Sequence, residues 1–245
     1  MTDSSTYIGC AGWGVASGQA TPFDPGGSVL QRYSTRFSAV EINSSFYRPH
    51  RRSTYERWAD SVPEPFRFSV KVPRAITHQA RLHDVQDLLR TFLGQTSGLG
   101  EKLGALLIQL PPSLAFDEAA ATAFFQEVRT LTPVPVVCEP RHVSWFGDPA
   151  DALLASYQIG RVADDPALRP VAAVPGGFEQ TVYYRWHGSP RMYFSSYSDP
   201  ALGDLAQRVR EGPAAQGIWV IFDNTAAGAA VDNALTLINQ LEPGR

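Results

Sequence analysis

The sequence predicts an α/β chain folded as a single (β/α)8 barrel of the triosephosphate isomerase type, one domain over residues 1–245, with parallel strands and room for irregular βα units. Three observations predict it. Eight short apolar runs, rich in branched and aromatic residues, are spread along the whole chain. Segments of helical spacing alternate with them without a long break, and that alternation calls for parallel strands joined by right-handed crossovers. Each run stops at residues able to do chemistry, in CAGW, EINSSFY, SVKVP, LIQLPPS, VCEPRH, VADD, YRWHG and IFDNT. In a closed barrel such stops surface at one end, where the strand-to-helix loops assemble the working face.

The strands are expected at 7–10, 39–43, 66–72, 105–110, 134–139, 159–163, 182–186 and 218–222. Between them, 28–37 brings Val29, Leu30, Tyr33 and Phe37 near one helical face, and 85–92 does the same with Val85, Leu88, Leu89 and Phe92. Asp117 is a good N-cap for the alanine-rich EAAATAFFQEVRTL. Asp148-Pro149 and Asp199-Pro200 open two more helices with proline in the first turn, and the last begins after Gly228. The Pro- and Gly-rich pieces 20–28 and 173–180 read as loops. An open doubly wound sheet is the competing fold. Its dinucleotide version needs a helix directly after GxGxxG, which GCAGWG at 9–14 lacks, and no GxxxxGK followed by Ser or Thr is present.

Hydrophobic content of 44% and charged content of 18% describe an ordinary globular chain. A formal net charge of −3 gives no global attraction to nucleic acid or an anionic bilayer, so polyanion binding would need a local patch. Cys10 and Cys138 sit in different apolar runs, which points to reduced buried thiols rather than a disulfide or zinc site. The start MTDSSTYIG has no basic and apolar leader pattern, and no stretch reaches membrane-spanning length; a soluble cytoplasmic protein is the expectation.

Seven segments, GCAGWG at 9–14, AVEINSSFYR at 39–48, FSVKVPRAITH at 68–78, LLIQLPPS at 106–113, VCEPRHVSW at 137–145, YRWHG at 184–188 and IFDNTAAGAAVDNA at 221–234, together resemble the YecE-like proteins, a family of unknown function. The resemblance spans nearly the whole chain and keeps the family's order. It implies a triosephosphate isomerase-type barrel and carries no established activity. The chain departs from the family at 15–25, where VASGQATPFDP replaces a Ser-Tyr-rich segment and an FYP motif.

Strand alternation places the candidate site. Glu41 and Asn43 share a face, as do Ser69 and Lys71, Val137 and Glu139, and the trio Tyr183, Arg185 and His187. If the polar set points inward, Glu41, Asn43, Lys71, Gln109, Glu139, Arg185 and His187 form a ring that must pair internally or hold a ligand. Glu41 and Glu139 read either as a base pair or metal ligands, or as partners that neutralise Lys71 and Arg185. His187 reads as a proton donor or a loop cap. Asp223 and Asn224 read as site residues or as a helix cap, and Asp164-Asp165 as a turn or a ligand carboxylate. Trp13, Phe46, Tyr47, Trp145 and Trp186 would stack a sugar or base, or simply pack, with Trp186 opposed in parity to Arg185. Arg48, His50, Arg51, Arg52 and Arg57 form a basic cluster, extended by Arg141 and His142, that reads as a solvated loop and helix start or as a phosphate rim.

Two classes of function follow. The first is an enzyme for a phosphorylated, sugar-like or nucleotide-derived substrate, with Glu41, Glu139 and His187 catalytic, and Trp13, Asn43, Tyr47, Lys71, Gln109, Arg141, Arg185 and Asn224 holding the substrate. Its specific version is a metal-dependent phosphodiesterase, broadly like the endonuclease IV barrels. Of the five histidines only His142 and His187 lie near predicted strand ends, too few for a His-rich trinuclear zinc centre, leaving one Mg²⁺ or Mn²⁺ on carboxylates. The second is a noncatalytic binder of a small anion or nucleic-acid end.

Overall fold

The computed structural model describes residues 5–19 and 22–242. Its strands are β1 (Ser5–Cys10), β2 (Ala39–Ile42), β3 (Arg67–Lys71), β4 (Leu103–Gln109), β5 (Val136–Glu139), β6 (Ile159–Arg161), β7 (Ala163–Asp165), β8 (Gly176–Gly177), β9 (Thr181–Trp186) and β10 (Gly217–Phe222). The helices are α1 (Val29–Tyr33), α2 (Arg52–Asp60), α3 (Gln86–Thr96), α4 (Glu118–Leu131), α5 (Asp148–Ser156), α6 (Asp199–Glu211) and α7 (Ala229–Leu241).

The architecture is an α/β fold of parallel sheets. One sheet runs β1-β10-β9-β7 and the other β2-β3-β4-β5-β6-β8, and every pairing is parallel except the short antiparallel β6–β8. The single hydrogen-bonded ring expected of a closed barrel is therefore not what the strands form. Residues 159–165 serve both sheets, β6 pairing with β5 and β7 with β9. At the other margin, side chains stand where a ladder would run. The Tyr33 hydroxyl accepts from Cys10 N at 2.8 Å and donates to Ala39 O at 3.0 Å, and Ser38 Oγ accepts from Ile8 N at 2.9 Å. Only glycine fits between β1 and β2 here, because a Cβ on Gly9 would lie 1.9 Å from Ala39 O.

The eight predicted strand regions are present, with shifted ends. The first helix is cut to five residues, capped by the reciprocal Ser28–Gln31 pair, and ends before Phe37. The expected helix at 85–92 runs on to Thr96. The basic stretch expected as a solvated loop and helix start enters α2 at Arg52. Asp117 caps α4 through Ala120 N at 2.9 Å, and proline stands in the first turn of α5 and α6, as read from the sequence. The loop expected at 173–180 contains β8, and part of that expected at 20–28 lies outside the described residues. Asp164 and Asp165 stand in β7 rather than in a turn.

Two apolar layers follow from strand alternation. The larger packs the helices on the sheets, through residues such as Val40, Ile42, Phe68, Leu106, Cys138 and Phe222. The smaller takes the opposite parity: Ala39, Ala105, Leu107, Val137, Val162, Tyr183, Trp219 and Ile221. Gly104 makes room for the Trp219 ring, since a Cβ there would meet Cζ2 at 2.6 Å. Two residues further along the same strands, this second parity turns polar, with Glu41, Gln109, Glu139, Arg185 and Asp223. The candidate site thus stands directly on an apolar floor.

Candidate functional site

Arg185 is the hub of the polar layer. Fully buried, it donates from Nε to Glu41 Oε2 at 2.9 Å and from Nη2 to Glu41 Oε1 at 2.8 Å, a two-pronged grip on one carboxylate. Its Nη1 reaches Glu139 Oε2 at 3.2 Å, and Nη2 lies 3.0 Å from Asp223 Oδ2. The Tyr183 hydroxyl stands 3.0 Å from both Glu41 Oε2 and Ser69 Oγ. Glu139 is further surrounded by Arg141 and by the Gln109 amide, 3.1 Å from each oxygen. Burial alone would raise its carboxyl, but Arg141, Arg185 and His187 outweigh that and hold it well below the usual range.

His187 is clamped between two carboxylates, Nδ1 at 3.0 Å from Asp223 Oδ2 and Nε2 at 3.0 Å from Glu139 Oε1. Asp223 is likewise held down against its burial by Arg185 and His187. Asp164 is the exception. Its Oδ2 is 3.6 Å from Arg141 Nη1 and its buried Oδ1 has no hydrogen-bond partner among the described residues, so burial, aided by the negative charge of Glu139, pushes its carboxyl up to about 6.

Above this network lies a cavity of about 610 Å³, within the range of small-molecule sites. Lys71, Asp223, Gln109 and Asn43 face it from the strand ends, Arg74 and His78 from the turn after β3, and Phe46, Tyr47, Tyr193 and Phe194 supply aromatic walls. The buried Asn43 Oδ1 has no hydrogen-bond partner among the described residues. Lys71 Nζ sits 4.3 Å from the Phe46 ring centre, and neither it, Arg74 nor His78 has a carboxylate within 4.0 Å among the described residues. Burial, then the charge of Arg185, brings the Lys71 ammonium down to about 8. Burial and the charges of Lys71 and Arg74 lower His78 as well.

The sequence-predicted residues separate into three groups. Glu41, Glu139, Arg141, Arg185 and His187 meet in the buried network, with Gln109 bridging it to the cavity. Asn43, Tyr47, Lys71 and Gln109 line the cavity. Trp13 and Asn224 do neither. The Trp13 ring packs edge-on against Trp58 at 5.0 Å. Asn224 Nδ2 donates to Ser195 O at 2.9 Å and to Asn233 Oδ1 at 2.8 Å, tying the loop after β9 to α7. Neither Asp223 nor Asn224 caps α7 with its side chain; Gly228, at positive φ, holds that position.

The aromatics divide similarly. Trp145 is buried and donates to Leu114 O at 2.9 Å, and Trp186 packs on Tyr197, so both are core. The basic cluster does not form a rim to this cavity. Arg52 pairs with Glu56, His50 lies 2.8 Å from Ser44 Oγ, and Arg48 lines an adjoining apolar hollow of about 320 Å³. His142 accepts from Ser144 N, capping its own turn.

Arg74, His78, Tyr193 and Phe194 were not singled out from the sequence. Arg74 and His78 belong to a π-helical turn, Ala75–Gln79 with Arg74 as its cap, whose spacing no strand or helix periodicity reveals. A metal fits poorly. Both oxygens of Glu41 are taken by Arg185, Glu139 is taken by arginines and Gln109, and no group of three or more His, Cys, Asp or Glu side chains is disposed to hold a metal ion among the described residues. Cys10 and Cys138 are free and buried, and burial raises both thiols, Cys10 to about 12. No helix among the described residues is long and apolar enough to cross a membrane.

Comparison with known proteins agrees with the motif resemblance. The chain is 25% identical over 267 residues to the UPF0759 protein YunF of Bacillus subtilis, covering 96% of this chain and 94% of that protein. It is 33% identical over 96 residues to the UPF0759 protein YecE of Escherichia coli K12, 39% of this chain and 35% of that one. The crystal structure of a DUF72 family protein from Thermotoga maritima superposes with a TM-score of 0.81 at 24% identity, covering 97% of this chain and 99% of the other. Residues 7–245 match the family described as "Protein of unknown function DUF72", and the chain belongs to that family.

Proposed function

We propose that this chain is an enzyme acting on a small anionic substrate, phosphorylated and of sugar size, in the cavity above the Arg185 network. One observation carries the reading: Lys71, Arg74 and His78 converge on that cavity with no carboxylate within 4.0 Å among the described residues. Lys71 and Arg74 repel each other, and an anion relieves the repulsion. The aromatic walls suit the faces of a sugar or base. The cavity's size, about 610 Å³, and the net charge of −3 favour a small molecule over a long nucleic acid.

Within this reading Glu41, Glu139, Arg141, Arg185 and His187 build the site, while Lys71, Asp223 and His78 face the substrate. The carboxylates once expected to hold Mg²⁺ or Mn²⁺ are already bound to arginines, so no metal-dependent step is assigned. The reading also takes the two sheets as arcs of one single-domain, eight-stranded barrel. The shared run 159–165 and the Tyr33 and Ser38 hydroxyl bridges between β1 and β2 support that closure.

Calorimetric titration with inorganic phosphate at low salt tests the site. Saturable binding that weakens with added salt is expected, and a linear, unsaturable heat would overturn the reading. Turnover of a panel of sugar phosphates then separates an enzyme from a binder.

A further inference from the structure

We infer that Lys71 is an imine-forming residue whose ε-amine adds to the carbonyl carbon of a small anionic aldehyde or ketone bound in the cavity. The inference rests on the anion-binding reading above and narrows its substrate class.

The first support is compositional. Of 21 Lys and Arg residues, only two are lysines, Lys71 and Lys102. Arginine remains protonated and is no nucleophile, so a chain that meets almost every cationic need with arginine marks the positions where an amine itself matters. Lys102 has a structural task, donating to Ala59 O at 2.6 Å and Val62 O at 2.7 Å at the end of α2. Lys71 has none. It is 4% exposed and its Nζ lies over the Phe46 ring, the amine making neither a hydrogen bond nor an ion pair among the described residues.

The second support is placement. Lys71 is the last residue of β3 and opens on the cavity, while Arg74 follows on the next turn and offers the charge for the anionic end of the same molecule, with the His78 ring beside it. A buried amine beside an apolar ring is also the environment that activates a lysine. At about 8, roughly a tenth of the group is free amine at pH 7, against well under a thousandth for an ordinary lysine.

The chemistry balances without a co-reactant. The nitrogen lone pair forms the N–C bond, the carbonyl π electrons move to oxygen, and one of the two amine protons passes to that oxygen, giving the carbinolamine. Its hydroxyl then takes up the second nitrogen proton and leaves as water as the C–O bond breaks, and the nitrogen pair closes C=N. Asp223 and His78, on the same cavity, are placed to pass these protons.

The test treats the whole chain with glycolaldehyde phosphate and cyanoborohydride at pH 7, followed by intact mass and peptide mapping. One reduced adduct on Lys71 is expected, at least tenfold faster than on Lys102 or the N-terminal amine, and at least tenfold faster than with unphosphorylated glycolaldehyde. The Lys71 rate should rise with pH and level off above about 8. Lys71→Met should lose that adduct; if this variant fails to fold, the wild-type peptide map still decides. Equal labelling of Lys71 and Lys102, or no adduct on Lys71, overturns the inference. Should phosphate bind saturably in that case, the anion site stands and only the imine falls; with no phosphate binding, both fall.

Discussion

Arg185 holds Glu41 through two nitrogens, at 2.9 and 2.8 Å, and neither side chain is reached by solvent. Taking such a pair out of water is costly, and its attraction offsets the cost only while the geometry is complete. Removing the cation leaves Glu41 without its counter-charge and weakens the hold on Glu139 and Asp223, which keep His187 and, for Glu139, Arg141. We expect Arg185→Met to destabilise the fold by about 3–5 kcal/mol in denaturant unfolding, the range for breaking a buried pair. A second change, Glu41→Leu, should recover part of that loss because the two residues are coupled. A loss under about 1 kcal/mol for the single variant, within the range of an exposed pair, would show that the network is not structural.

Asp164 supplies a pH signature of opposite sign to its neighbours. Its folded carboxyl lies at about 6, above the usual 3.8, so the folded state favours the protonated form. The stability this group contributes is full below about pH 4 and is lost as pH rises through 6. Glu139 and Asp223 are depressed, so their contribution is present above the ordinary carboxylate range and lost as pH falls through their folded values. Asp164→Asn removes the first dependence alone. The variant should be the more stable by about 2–3 kcal/mol at pH 7, with the gap closing by pH 4, as urea midpoints at the two values would show. A gap independent of pH would contradict this account.

Period-two alternation carried most of what was legible about the network. Glu41, Glu139, Arg185 and His187 lie far apart in sequence but share a parity at strand ends, and parallel pairing brings them into register. Parity could not reveal which groups would neutralise one another. Lys71 reads like any partner for Glu41, yet Arg185 takes both Glu41 oxygens and leaves Lys71 to the cavity. Residues beyond strand ends were the least legible. Trp13 looked like a mouth aromatic but follows a turn at Gly12, φ 115°, that leads it to Trp58. Tyr193, which faces the cavity, has φ 69°, a backbone state the sequence does not announce.

Arg74 tests whether the cavity recognises charge. It is exposed at the rim and makes no ion pair with a carboxylate among the described residues, so the fold should not depend on it. Arg74→Gln is expected to leave the melting curve unchanged and to weaken phosphate binding roughly tenfold, about 1.4 kcal/mol. The salt dependence of binding should flatten at the same time. Unchanged affinity would place the anion elsewhere.

The margin between β1 and β2 gives the last prediction. The Tyr33 hydroxyl stands in for a ladder bond, accepting from Cys10 N and donating to Ala39 O, both within buried surroundings. Tyr33→Phe leaves a buried donor and a buried acceptor without their partner, a loss of about 1–3 kcal/mol for each group left unsatisfied. The ring still fills its place against Phe37 and Phe66, so packing is preserved and the cost isolates the bridge. Hydrogen exchange should quicken at the Cys10 amide and much less at Val220, which lies inside the ladder between β1 and β9. Gly9→Ala is a harsher probe of the same margin, because the added methyl meets backbone, Ala39 O at 1.9 Å, rather than a side chain that can swing away. It should cost more than Tyr33→Phe, and if it were the milder of the two, the close approach of these strands would not be what joins the two sheets.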